Sequence, residues 1–402
     1  MKRRRVKITG IGPVTPAGIG REEFWKGILE PVSRVREFTK LGDECGPLVA
    51  AQVEGFDVNN FVGDFDVPKG AARHTQFALA ATILALRDAG LSMPELQASR
   101  CAVISGSSLL DFGGIGSAID VVQRRGARAA QARVVFTTTL TSITDVINRM
   151  CGITSRTMAL QTSCCAGLDA VGQASALVAS GEVDIAICGG TEAPLHKFPL
   201  LELRAAGLTP PSVQMPERLA RPFDLWRTSG VVSEGACMFI LEPETSPRPA
   251  YTYVGGYAFS NDDADTLCGG LLTTGKLAVA EARIRLSDVD CINAWGPGHR
   301  IIDQAEADVL ISLFGKSLSS IAAVSIKGAV GAALGAAPAI QIAAAALAQR
   351  SGVVPPTVNW NFPDPGCPLN LGKQSRSIEH DCTLVNAHGV GSVNASMVLQ
   401  RC

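Results

Sequence analysis

The sequence predicts an α/β fold assembled from two similar halves, and three observations predict it. Short apolar runs with strand character alternate with runs of helical spacing along the whole chain. The order of those elements in residues 1–243 repeats in residues 244–402, which points to an internal duplication, although self-similarity of the sequence is faint. Finally, 47% of the 402 residues are hydrophobic and 18% charged, enough apolar mass for a large core in two domains or two packed halves. Alternating strands and helices imply mixed α/β layers with a largely parallel sheet in each half.

In the first half, residues 6–12 read as a strand running into a Gly/Pro loop at 10–18. A dinucleotide-binding turn would need a helix to open there; Pro13, Pro16 and the glycine spacing do not suit it, so no nucleotide site is expected. Residues 24–29 read as a short helix and 34–68 as an irregular stretch with a short strand near 49–53. Small and apolar residues at 71–91 form a helix stopped by Gly90. A strand at 102–106 and a helix at 142–150 follow. The strand 157–160, a helix after Cys164 and the strand 184–188 make a βαβ unit closed by Gly189 and Gly190. Residues 200–222 carry Pro210, Pro211, Pro216 and Pro222 and read as a long loop; 236–242 is the strand that completes the half.

In the second half, strands are expected at 252–259, 291–294 and 321–326, with helices at 276–286 and 303–314. Residues 328–348 carry no charge over a membrane-spanning length, but the run is mostly Ala and Gly and contains Pro338. It reads as a closely packed core helix, and no membrane span is expected. Strands at 383–386 and 395–399 pair around a Gly loop.

The formal net charge is −1, which gives no general attraction to nucleic acid or to anionic membranes. The basic start, Met1 to Arg5, runs into a strand-like segment and not into a signal sequence. Twelve cysteines without a CxxC pair argue for free thiols in a reducing compartment, the cytoplasm. His74, His196, His299, His380 and His388 form no metal-binding cluster, so no metal site is expected.

The stretch with most chemical content is Gln161-Thr162-Ser163-Cys164-Cys165-Ala166-Gly167. It places Cys164 at a strand-to-helix turn, with Gly167 easing the turn. A thiol at a helix N-terminus feels the positive end of the dipole, which lowers its pKa and suits a covalent nucleophile. The alternative is a pair of buried, inert cysteines.

Several stretches taken together resemble the β-ketoacyl-acyl carrier protein synthases of fatty acid and polyketide synthesis. Residues 6–18 resemble the family's opening strand and loop. Thr75, Gln76, Ala78, Asp88, Ala89 and Gly90 fall in step with its first long helix, and Thr162-Ser163-Cys164 with its Thr-Ala-Cys turn. Gly189 to Ala193 matches a GGxEA turn, and Arg221-Pro222-Phe223-Asp224 with Arg227 matches a further motif in which Ser229 and Ser233 replace glycines. The resemblance implies a thiolase-type fold, five layers α-β-α-β-α from two duplicated halves, in a protein that usually forms a dimer. It implies that Cys164 takes the acyl chain, and that the backbone N–H groups of Cys164 and Val390 form an oxyanion hole. No bound cofactor is implied; the substrate is carried as a phosphopantetheine thioester of acyl carrier protein or CoA.

The departures bear on function. Condensing members use one Cys and two His. Trp295 stands in the loop of the first His, and Ala332 at the position of the second, whereas Lys327, Asp303 and Glu306 are retained. Pro297 and His299 replace the threonines that hold the pantetheine arm. His388 and Val390 replace two phenylalanines of a glycine-rich turn. His388 is a candidate base near Cys164, or else a hydrogen-bonded core residue; His299 is a second candidate, or a solvated loop residue. The segment 261–276 is shorter than the family pattern, which trims a surface element near the pocket mouth.

Three functions compete. One is a chain-length-factor-like subunit that pairs with an active ketosynthase and shapes the acyl pocket. Another is a Cys164-dependent acyltransferase with a non-malonyl acceptor. The third is a condensing enzyme with substitute groups drawn from His299, His388 and Trp295. In each, the partner is acyl carrier protein together with a ketosynthase paralogue or a second copy of the chain.

Overall fold

The structure is a computed structural model that describes residues 4–41, 45–263 and 266–402. The first three residues of the basic start, and residues 264 and 265 of the shortened segment, lie outside the described residues.

Five strands of the first half, β1 (Val6–Thr15), β2 (Cys101–Gly106), β3 (Arg156–Leu160), β4 (Ile185–Glu192) and β5 (Gly235–Pro243), lie in the order β3-β2-β4-β5-β1. Five of the second half, β6 (Thr252–Asn261), β7 (Cys291–Asn293), β8 (Ala322–Val324), β9 (Cys382–Gly389) and β10 (Val393–Gln400), lie in the order β8-β7-β9-β10-β6. Both orders run third, second, fourth, fifth, first. A short antiparallel pairing, Val6↔Val254 to Ile8↔Thr252, joins the two sets, and the two-residue strand Gly18–Ile19 pairs with β1 off this path as the eleventh strand of the sheet.

The helices that matter most for the layers are α1 (Arg73–Ala89), α2 (Ala166–Ser180), α3 (Gly270–Glu281), α4 (Arg300–Phe314) and α5 (Ala337–Ser351). The α1 helix covers β1 and β5, while α2 lies on the opposite face of the first sheet against β2 and β4. In turn α5 packs on α2 and on β9, and α3 covers the far side of the second sheet at β6 and β10. The result is five layers, α-β-α-β-α. The central helices are buried nearly all round, which their Ala-rich sequences allow: small side chains let helix and sheet approach closely. Gly90 ends α1 in the left-handed conformation (φ 61°), with its N–H donating to the Leu86 and Arg87 carbonyls.

Several expectations change. Each half is a mixed sheet: β2 pairs in parallel with β3 and β4, but β4–β5 and β5–β1 are antiparallel, and the second half repeats this with β9–β10 and β10–β6. Strand direction depends on which strands become neighbours, and local periodicity does not carry it. The strand after the βαβ helix runs through Gly189 and Gly190 to Glu192; Gly189 lies against β5 at Cys237, and Gly190 against α2 at Gly167 and the chain before α5 at Gly335 and Ala336. The start of the proline-rich loop is a helix, Lys197–Ala205. The helix expected at 276–286 begins at Gly270 and ends at Glu281. The Ala/Gly run is two helices, Lys327–Val330 and α5, separated by Gly331 (φ 72°) and an extended segment that pairs Ala332 with Val232.

Candidate active site

Cys164 lies where β3 leads into α2. Ser163 adopts φ 51°, and Ser163–Cys165 form a single 3₁₀ turn that ends directly in α2. A non-glycine residue in the left-handed region costs of order 1–3 kcal/mol and is held only where surrounding packing imposes it. Gly167 does not ease this turn; it lies inside α2. A Cβ there would stand 2.7 Å from the Gly335 carbonyl oxygen, so the glycine serves a close approach of two backbones.

The end of β9 meets this turn. A Cβ on Gly389 would lie 2.9 Å from Cys164 N and 3.0 Å from Ser163 Cβ. Glycine therefore lets the end of β9, where Val390 follows, pack directly on the backbone of the Cys164 turn. The thiol is not the low-pKa group that its helix position suggests. Burial pushes it up to about 11, and the Ser163 hydroxyl, the Val390 N–H and the Lys327 ammonium only partly offset this, with buried Glu192 acting against them. The physical reason is desolvation: with Cys164 only 9% exposed, a thiolate loses more water than the dipole of one helix restores. Cys165 is fully buried and pushed further up for the same reason.

Cys164 opens into a cavity of about 870 Å³. Trp295, Ala332, His299, His388 and Val390 line it with Cys164, and its far wall is apolar, with Leu109, Phe112, Phe198 and Leu203. The three retained positions sit behind the 295–298 loop. Glu306 accepts from the backbone N–H groups of Trp295 and Gly296 at 2.8 Å each, and Asp303 from Phe223 at 2.7 Å and Gly298 at 3.0 Å. Both carboxyl groups are buried and hold the 295–298 loop in place. Burial raises the Asp303 pKa to about 7.

Lys327 Nζ donates to the Trp295 carbonyl and to Gln341 Oε1 (2.8 Å) and lies 4.0 Å from the centroid of the Trp295 ring. Burial pulls its pKa down to about 7, while Glu306, Asp303 and Cys164 pull it up. The indole thus covers the ammonium that a smaller residue would leave facing the cavity.

The two candidate histidines differ. His299 caps α4: its Nδ1 accepts from the N–H groups of Ile301 and Ile302 at 3.3 and 3.4 Å. His388 is 5% exposed, and its Nδ1 lies 2.9 Å from Asn394 Oδ1. Among the described residues, no hydrogen bond joins either ring to Cys164.

Sequence reasoning gave no role to Glu192 or Asp169. Glu192 is 1% exposed and accepts from Ser107 Oγ (3.1 Å), Ser108 N (2.7 Å) and Gly335 N (3.1 Å), which fixes the segment that carries Ser108 and Leu109 into the cavity. Burial raises its pKa to about 7. The GGxEA match was the available signal. Asp169 accepts from the Tyr257 hydroxyl at 2.7 Å behind the turn, which ties α2 to β6, and nothing local marks it. Among the described residues, no three His, Cys, Asp or Glu side chains are grouped to hold a metal ion, and no helix is long and apolar enough to cross a membrane.

Five layers with a cysteine at the entrance of a central helix define a thiolase-type protein. The β-ketoacyl synthase N-terminal domain model matches residues 3–246 and the C-terminal domain model residues 251–361, so the chain belongs to the β-ketoacyl synthase family. It is 32% identical to a putative polyketide β-ketoacyl synthase 1 of Streptomyces virginiae, over 99% of this chain and 98% of that protein. The ishigamide ketosynthase/chain length factor superposes with a TM-score of 0.92 at 27% identity, and each chain is fully covered. A type II polyketide synthase acyl-carrier protein in complex with its ketosynthase, bound to the hexaketide, gives a TM-score of 0.91 at 26% identity, again with both chains fully covered. The chain is a ketosynthase-like biosynthetic protein.

Proposed function

We propose that this chain is a non-condensing subunit of fatty acid or polyketide assembly, comparable to a chain length factor, that pairs with an active ketosynthase and shapes its acyl pocket. The observation that carries this reading is Trp295 and Ala332 on the cavity wall, where condensing members place imidazoles. Decarboxylation of a malonyl thioester builds enolate charge on the thioester oxygen, and removing one donor to such a charge costs about 10²–10³ in rate. Ala332 offers no donor, and His299 is committed to capping α4. The acyl group would arrive as a phosphopantetheine thioester of acyl carrier protein or CoA, in keeping with the carrier-protein complex of the similar ketosynthase. The partner is a ketosynthase paralogue, with a homodimer as the alternative, in keeping with the ketosynthase/chain length factor that this chain resembles. We place the protein in the cytoplasm, where its twelve unpaired cysteines stay reduced, and divide it into thiolase-like halves at residues 1–243 and 244–402.

The site also favours a second reading, acyl transfer through Cys164. Cys164 and Val390 line the same cavity, and their backbone N–H groups would form the oxyanion hole. The deciding assay gives the purified chain acyl- and malonyl-carrier protein, alone and mixed with a Cys-His-His ketosynthase. The expected outcome is no β-ketoacyl product from the chain alone and an altered product length in the mixture. Condensation by the chain alone, abolished in Cys164→Ala, would overturn the non-condensing reading.

A further inference from the structure

We propose that His388 is the general base that lets a hydroxyl-bearing acceptor, an alcohol or water, take an acyl group from Cys164. The proposal rests on the acyl-transfer reading of the site. His388 is on the cavity wall at a position where the glycine-rich turn of related condensing enzymes carries an aromatic ring, so it is not one of the two imidazoles that those enzymes use.

The hydrogen-bond chain behind the ring fixes its tautomer. Asp262 Oδ1 accepts from Asn394 Nδ2 at 2.7 Å and from Gly270 N at 2.9 Å. A carboxylate oxygen can only accept, so the NH₂ of Asn394 faces Asp262 and its Oδ1 faces His388. That oxygen in turn can only accept, so His388 Nδ1 carries the hydrogen across the 2.9 Å contact. In the neutral ring Nε2 is then left with a free lone pair. Asn394 and Asp262 are positioning residues, as the carboxamide is in other Cys-His-Asn arrangements.

The ring does not hydrogen-bond Cys164, which separates its role from thiol deprotonation. Loading the enzyme is a thioester exchange: the Cys164 sulfur attacks the carbonyl carbon, the bond to the pantetheine sulfur breaks, and the thiol proton ends on that leaving sulfur. Transfer onward is where a base is needed. His388 Nε2 takes the acceptor O–H proton as the oxygen attacks the Cys164 thioester. The resulting oxyanion accepts from the Cys164 and Val390 N–H groups. The C–S bond then breaks, the Cys164 thiolate takes a proton from solvent, and Nε2 gives its proton up to solvent. The products are an ester or a free acid, plus the regenerated thiol. Val390, 65% exposed, leaves the cavity mouth open beside this ring.

The test loads wild type, His388→Phe and His388→Ala with octanoyl-pantetheine to equal occupancy, read by intact mass. Loss of the acyl group is then followed in buffer and in buffer with 1-propanol. Free acid reports water as acceptor, and propyl ester reports an alcohol. General-base help is worth about 10²–10⁴, so wild type should release the group at least ~10²-fold faster than His388→Phe. Added imidazole should restore His388→Ala, which a merely structural defect would not allow. Hydroxylamine, which needs no base, should strip all three alike. For Asn394→Leu, slower release to propanol with normal hydroxylamine stripping is expected. Equal release from wild type and His388→Phe would overturn the base. Failure of wild type to load would overturn the acyl-transfer reading and this inference with it, while the non-condensing subunit reading would stand.

Discussion

Replacing Gly389 by Ala should disable Cys164 without altering its side chain. The added methyl would sit 2.8 Å from Val393 Cγ2, 2.9 Å from Cys164 N and 3.0 Å from Ser163 Cβ. Non-bonded carbons settle at about 3.5–4.0 Å, so relief requires roughly 0.5–1 Å of movement. Val393 can give way by rotating, but the other two contacts are to a turn already held at φ 51°, and Gly389 is itself locked in register with Val393. The displacement therefore falls between the Val390 N–H and the Cys164 sulfur. A misplacement of about 1 Å costs on the order of 10² in rate, and overpacking costs about 1–3 kcal/mol in stability. The assay is the rate of mass gain from an acyl-pantetheine thioester, with urea unfolding run alongside. Acylation should fall ~10²-fold while the protein remains folded. If acylation stays within about threefold of wild type while stability drops by the overpacking amount, Val390 does not serve the reaction and the reasoning is refuted.

Other outcomes follow from the same site. Cys164→Ala should abolish the mass gain; a gain that persists would locate the nucleophile elsewhere. Trp295→His with Ala332→His should raise CO₂ release from malonyl-carrier protein by about 10² or more, and no gain would show that these positions do not limit condensation. Burial raises the Asp169 pKa to about 6, so the folded state keeps a proton that the unfolded state releases. Its contribution to stability is full below about pH 4 and lost as pH rises through about 6. Asp169→Asn keeps an acceptor for Tyr257 but removes the titration. Between pH 4 and 7.5, wild type should lose about 2 kcal/mol relative to this variant, since the loss accrues at up to 1.36 kcal/mol per pH step of one between about pH 4 and about 6. Urea unfolding at both pH values checks this, and parallel curves would contradict it.

Much of the first half was legible because its strands are short apolar runs and α1 has a regular small-residue face. Residues 112–125 form a helix that the reading of the sequence left unassigned, although Phe112, Ile115, Ile119 and Val122 recur there at helical spacing. The Ala/Gly run misled for a different reason. It is buried throughout, so hydropathy could not show the break that puts Ala332 on the cavity wall.

The sequence by itself determined the two-halved α/β class, the family, the placement of Cys164 at a strand-to-helix turn, and the absence of imidazoles at 295 and 332. Those properties reside in residue identity and local spacing. Tertiary structure decided the ionisation of Cys164, the covering of Lys327 by Trp295, and the tautomer of His388. Each depends on burial or on partners far apart in the chain: Asp262 lies 132 positions from Asn394, and Gly335 lies 143 from Glu192. Desolvation and hydrogen-bond direction are set only when such groups meet, and no window along the sequence contains them.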